Sequence, residues 1–219
     1  MQYIDSVQRL ADLVTILYRP RETMARILAR PSDRWAAHVV FLAFVCGSVN
    51  EIDVRAVAAH LPGLRPVPAM ALVAVALIAG GLAWVLTLYI LSWIATPVGR
   101  MMGGTAKTAG VRAALGWAMA PIIWSIVYRI PFAILVMRLR VVPDVDLHQV
   151  LLGFVAHGGC SLIVLYLAFQ LAFAIWCIAL ACVTVSEAEQ FELHKGFITV
   201  AVTIAFPLMV IAAAIITMR

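Results

Sequence analysis

Apolar residues recur at helical spacing from the start of the chain. Ile4, Val7, Leu10, Ala11, Val14 and Leu17 fall three or four apart, with Asp5, Arg9 and Asp12 on the opposite side. That pattern predicts an amphipathic helix. Pro20 suits the first turn of a second short helix, with Met24, Ile27 and Leu28 on its apolar face and Arg26 and Arg30 on its polar face. Residues 1–34 are therefore expected to form a charged cytoplasmic tail that lies on the membrane surface or caps the bundle. It would serve as a packing platform or as a docking element.

From residue 35 the pattern becomes long apolar runs. Five segments have the length and apolarity to cross about 30 Å of hydrocarbon: Trp35–Glu51, Ala69–Ala95, Val111–Pro131, Cys160–Val185 and Phe197–Met218. The first is the weakest, because it ends in Asn50, Glu51, Asp53 and Arg55, with Glu51 and Arg55 spaced as an i,i+4 pair. The second carries no charge and is expected to stop before Pro97. Pro121 falls in the middle of the third and Pro207 inside the fifth. Residues 147–156, ahead of the fourth, would extend it or form an interfacial helix. Arg138 and Arg140 argue against a sixth span in Phe132–Val142. The expected fold is all-α: a five-helix transmembrane domain over residues 35–219 behind the amphipathic tail.

Composition sharpens this reading. Of 219 residues, 64% are hydrophobic and 12% charged, with a mean hydropathy of +1.03, against roughly 25% charged in ordinary soluble domains. So few charges exclude a soluble enzyme, a nucleic-acid-binding domain and a disordered chain. The net charge of +5 sits in basic residues between apolar runs, where they orient a bundle and meet anionic headgroups. Ten Lys and Arg fall in the tail, the 100–112 loop and at Lys195, against five at Arg55, Arg65, Arg138, Arg140 and Arg219. The positive-inside rule then puts the N-terminus in the cytoplasm and the C-terminus outside, periplasmic or extracellular.

Candidate chemistry is sparse. Cys46, Cys160, Cys177 and Cys182 lie in apolar stretches and read as reduced small hydrophobes. His157-Gly158-Gly159-Cys160 offers two metal-capable side chains, too few for a site, and its glycines suit a bend or a close helix contact. Ser125, Ser161 and Ser186 have no adjacent base, and Gly103-Gly104-Thr105-Ala106-Lys107 lacks the spacing that cradles phosphate. No catalytic residue, cofactor site or metal site is assigned. Glu187, Glu189 and Glu192, beside His194 and Lys195, form an acidic loop cluster that is solvated or complements the basic tail. His38 reads as an interface anchor. Arg129 would snorkel to the outer interface, in which case lysine should replace it almost silently. The alternative is a lipid-phosphate contact, made with Arg138 and Arg140.

Several short motifs follow one another along this frame. They are Leu17-Tyr18-Arg19-Pro20, Gly103-Gly104, Ala120-Pro121, Trp176, and Ser186-Glu187-Ala188 with Phe191, Lys195 and Gly196. In this order the chain resembles the Yip1-domain family of integral membrane proteins. The resemblance makes Tyr18, Pro20, Gly103, Gly104, Pro121, Trp176 and Glu187 candidate family-motif positions. It implies a five-helix bundle without catalytic residues, whose eukaryotic relatives act in membrane trafficking through small GTPases and one another. Here Arg19 stands where the relatives' Asp-Leu-Tyr-Gly-Pro motif has Gly, and Thr15-Ile16 precede it. With the short tail, this points to a bacterial inner-membrane member and against small-GTPase binding. The expected function is non-enzymatic, through membrane lipids or other membrane proteins, self-association included. The alternative is a small transporter or lipid-handling protein.

Overall fold

A computed structural model of the chain describes residues 2–30, 34–49, 66–139 and 159–217. All of its regular elements among these residues are helices: α1 (Gln2–Tyr18), α2 (Pro20–Leu28), α3 (Arg34–Gly47), α4 (Pro66–Met101), α5 (Thr108–Trp117), α6 (Ala120–Trp124), α7 (Ile126–Leu139), α8 (Gly159–Glu189) and α9 (Leu193–Thr217). Among the described residues, three stretches are long and apolar enough to cross a membrane: Met70–Met101, Thr108–Ile134 and Val164–Glu189. They match the second, third and fourth expected spans. The first and fifth fall on α3 and α9, where the apolar stretches of described side chains run Trp35–Gly47 and Leu193–Pro207, while α9 itself is 25 residues long. At 1.5 Å per residue, α3 is about 21 Å long, short of the hydrocarbon thickness.

The central element is α5, which packs against α2, α3, α4 and α8. Its Val111, Ala113, Ala114, Leu115 and Trp117 are buried. Small residues allow this closeness: Thr184 of α8 donates to the Ala114 carbonyl at 3.0 Å, and Gly116 abuts the backbone of Ala36 in α3. Such contacts matter in lipid, where association rests on close packing and interhelical hydrogen bonds.

Three boundaries depart from expectation. Helix α4 continues through Pro97 to Met101, because a proline inside a membrane helix costs little once neighbours satisfy the freed carbonyl. The third span is not one helix with Pro121 at its middle. It breaks at Ala118–Met119 and again at Ser125, and Pro121 sits in the first turn of α6, where its missing N–H is harmless. The chain then stays helical past Pro131 to Leu139.

The tail caps the bundle. Met24 and Ile27 of α2 are buried, as their spacing predicts, and α2 packs on α5 and α8. The Trp124 indole N–H donates to the Leu13 carbonyl at 3.2 Å, fixing α1 against α6. Helix α1, however, is rotated from its pattern: Leu17 packs on the core as expected, together with Leu13 and Ile16. Leu10, Val14 and Tyr18 are exposed, whereas Asp12, expected on the wet face, is only 1% exposed. Its carboxylate is drawn inward by Arg26 at 3.1 Å and Arg30 at 2.7 Å. Because Arg26 is half exposed, Asp12→Ala should loosen the α1–α2 hairpin by only roughly 1–3 kcal/mol. Trypsin should then cut after Arg21 several-fold faster, while the membrane helices stay protected.

Candidate functional site

Two turns meet beside the tail. Helix α4 ends in a turn whose Gly103 has φ +90°, a left-handed conformation that favours glycine. Helix α8 ends in a turn with Gln190 at φ +58°, a strained position for a side-chain-bearing residue. Glu189 joins the two. Its carbonyl accepts the Thr105 N–H at 3.3 Å, and its Oε2 accepts the Ala106 N–H at 2.9 Å. The side chain is fully buried in a slot formed by Gly99 and Gly104, where a Cβ on either glycine would collide with the carboxylate. Its Oε1 has no hydrogen-bond partner among the described groups.

Above this clasp lies a polar cleft of about 600 Å³, lined by Arg21 of α2, Gly103, and residues from Ser186 to Lys195 that include Glu187, Gln190, Phe191 and Glu192. The basic tail, the 100–112 loop and the Lys195 loop thus share one end of the molecule, as their common charge predicts. Within the acidic cluster the three carboxylates have separate fates. Glu187 is half-buried at the cleft, Glu192 is exposed beside His194 at 3.1 Å, and Glu189 is enclosed.

The other notable polar place is at Arg129. Rather than snorkelling, its guanidinium is turned into the bundle and is only 8% exposed. Nε donates to Ser125 Oγ at 3.0 Å, Nη2 donates to Gln170 Oε1 at 2.7 Å, and Nη1 donates to the Gly47 carbonyl. The breaks around α6 leave Ser125 one turn ahead of Arg129, and α3 ends at the level of the guanidinium. These placements supply acceptors that a snorkelling side chain would seek in water. A lysine carries its three donors on one nitrogen and could not span acceptors set around all three nitrogens of a planar fork, so Arg129→Lys is not the silent exchange that snorkelling implies. The side chains of Arg138 and Arg140, its expected partners, lie outside the described residues.

A family model, the Yip1 domain, matches residues 14–216. The chain belongs to the Yip1 domain family. No curated protein and no solved structure matches it. Of the motif positions in this Yip1 domain, Gly103 and Glu187 line the cleft, together with Ser186, Phe191 and Lys195, and Gly104 packs on the carboxylate beneath. Pro20 starts the helix that carries Arg21. The remaining positions lie apart. Tyr18 is exposed at the end of α1, Pro121 is buried in α6, and Trp176 is partly exposed beside Phe173, with ring centroids 6.0 Å apart. Asp12, Gln170 and Glu189 carry structural weight that sequence reasoning did not assign. For Glu189 the signal was present: extending the buried α8 stripe of Cys182 and Val185 by one turn lands on residue 189, not 187.

Proposed function

We propose that this Yip1 domain is a non-enzymatic protein of a bacterial inner membrane, with five membrane-crossing helices, a cytoplasmic N-terminus and an external C-terminus. It acts by binding other membrane proteins, its own copies included, or lipids. The observation that carries the reading is the loop-end cleft, where family-motif residues from two turns converge on a tail arginine. Mixed charge, a half-buried aromatic ring in Phe191 and a rigid floor clasped by Glu189 suit recognition of a protein surface. A transport pathway has less support. Between the cleft and Arg129, α8 buries Cys177, Leu180, Ala181 and Val185. The buried Thr184 hydroxyl there is engaged with the Ala114 and Leu180 carbonyls, so a mainly apolar layer separates the two polar places.

Deleting the tail is a poor test, because Met24 and Ile27 fill the core. Charge reversal at the rim is cleaner. Arg21→Glu with Lys195→Glu should leave the melting temperature within about 2 °C, as surface changes usually do. It should also abolish adducts formed in native membranes by a photo-crosslinker placed at the exposed Gln190. Adducts that persist in the charge-reversed protein, or that form only from the outer face of α4, would count against the cleft.

A further inference from the structure

The stretch of α8 from Gln170 to Glu189 spans about 28 Å at 1.5 Å per residue, so Arg129 lies nearly a bilayer's hydrocarbon depth from the cleft. A recess of about 310 Å³ opens beside it, walled by Phe44, Trp84, Ile122, Tyr128, Gln170 and Phe173. Each acceptor already on the guanidinium is neutral, and the ion pairs among the described residues lie elsewhere in the molecule. A buried cation balanced only by dipoles is expensive at membrane depth. Three of its five N–H groups are used, which leaves one on each terminal nitrogen. Tyr128 Oη, also at the recess, is buried with no hydrogen-bond partner among the described groups. The geometry is held in advance: Gln170 Nε2 donates to Tyr166 Oη at 2.7 Å, which aims Oε1 at Arg129. The Tyr128 ring is clamped by Phe169 and Phe173, each 5.3 Å away.

We infer that this recess binds the anionic headgroup of a membrane phospholipid, with Arg129 and Tyr128 donating to its phosphate oxygens. Two free N–H groups on one guanidinium suit a two-oxygen contact, and the phenol adds a third donor. Two observations favour a lipid over a free anion. The walls are mainly aromatic and aliphatic, and Trp84 and Ala174, both lining residues, are exposed on the outer surface of the bundle. The opening is therefore lateral, where acyl chains lie. This deepens the lipid half of the reading above, and its failure would leave the loop-end cleft untouched.

The test is native mass spectrometry of the full chain with phosphatidylglycerol, with phosphatidylcholine as the zwitterionic comparison and millimolar inorganic phosphate as a soluble competitor. Arg129→Gln should weaken phosphatidylglycerol retention about tenfold, because a charge-assisted contact is lost. Tyr128→Phe keeps the ring and its stacking and loses only the oxygen. It should weaken retention about two- to fivefold with an unchanged melting temperature, so the test survives if Arg129→Gln does not fold. Inorganic phosphate should not displace the lipid. Equal retention by the wild type and Tyr128→Phe would make the network purely structural and overturn the proposal. So would equal retention of phosphatidylcholine, or displacement by inorganic phosphate, which would mark a free-anion site.

Discussion

Gly116→Leu should lower the melting temperature of the bundle by several degrees. A Cβ at Gly116 would lie 2.7 Å from the Ala36 Cβ and 3.0 Å from both the Ala36 Cα and its carbonyl oxygen. These neighbours belong to the α3 backbone or sit directly on it, so no flexible side chain can swing aside. The helices would have to separate, and α5 is also packed on α2, α4 and α8. Overpacking of this kind costs roughly 1–3 kcal/mol or more, which should lower the melting temperature by about 5–10 °C at this chain length. A matched control lies six residues earlier in the same helix. A Cβ at Gly110 would meet Leu28 Cδ2 at 3.5 Å, an ordinary contact, so Gly110→Ala should be neutral or slightly stabilising through helix propensity. If Gly116→Leu melts with the wild type in detergent, as the Gly110→Ala control should, the close α3–α5 approach is wrong.

How much of this was legible in the sequence depends on which physics set each feature. The charge-free run that became α4 and the apolar α8 were plain, because nothing but a membrane or a deep core absorbs such segments. Met24 and Ile27 were legible for the same reason: one face, one period, one partner. The breaks around α6 were not, since Gly116, Ala118 and Pro121 suit a continuous helix with a kink as well as three short ones. The rotation of α1 was also hidden. Asp12 faces inward only because Arg26 and Arg30, fourteen and eighteen residues later, reach it. A hydropathy pattern scores Asp12 as wet, whereas two guanidinium groups make it a buried anchor.

The site was legible in outline and misplaced in detail. Motif order singled out Gly103, Gly104 and Glu187, and two of these line the cleft while the third forms its floor. Glu189 was lost inside an acidic cluster that reads as solvated. The α8 stripe places it on the buried side, but the slot that receives its carboxylate depends on Gly99 and Gly104 being bare, a pairing across some 85–90 residues that no local pattern reports. Arg129 shows the converse. Its isolation in an apolar run marked it, but its acceptors come from α3, α8 and the turn at Ser125, so the choice between snorkelling and an inward fork was tertiary.

Glu189→Ala should unfasten the two loop-end turns, and Glu189→Gln should show what the charge adds. Alanine removes the acceptor of the Ala106 N–H and empties the slot between Gly99 and Gly104. An unpaired buried donor and a new cavity together cost roughly 2–4 kcal/mol. The expected result is a lower melting temperature and faster amide exchange at residues 102–107 and 189–192. Glutamine has the same shape and keeps an oxygen for Ala106, and a neutral amide is cheaper to bury than a carboxylate. If Glu189 serves only as a clasp, Glu189→Gln should melt at or above the wild-type temperature and keep every Gln190 crosslink. The charge nonetheless sits directly under a cleft that contains Arg21 and Lys195, where it biases the local field in a poorly screened place. We therefore expect Glu189→Gln to fold normally yet lose adducts at Gln190, by roughly half or more if the field contribution resembles that of a partly buried charge pair. Normal folding with undiminished crosslinking would reduce Glu189 to a structural pin and leave recognition to the rim residues alone.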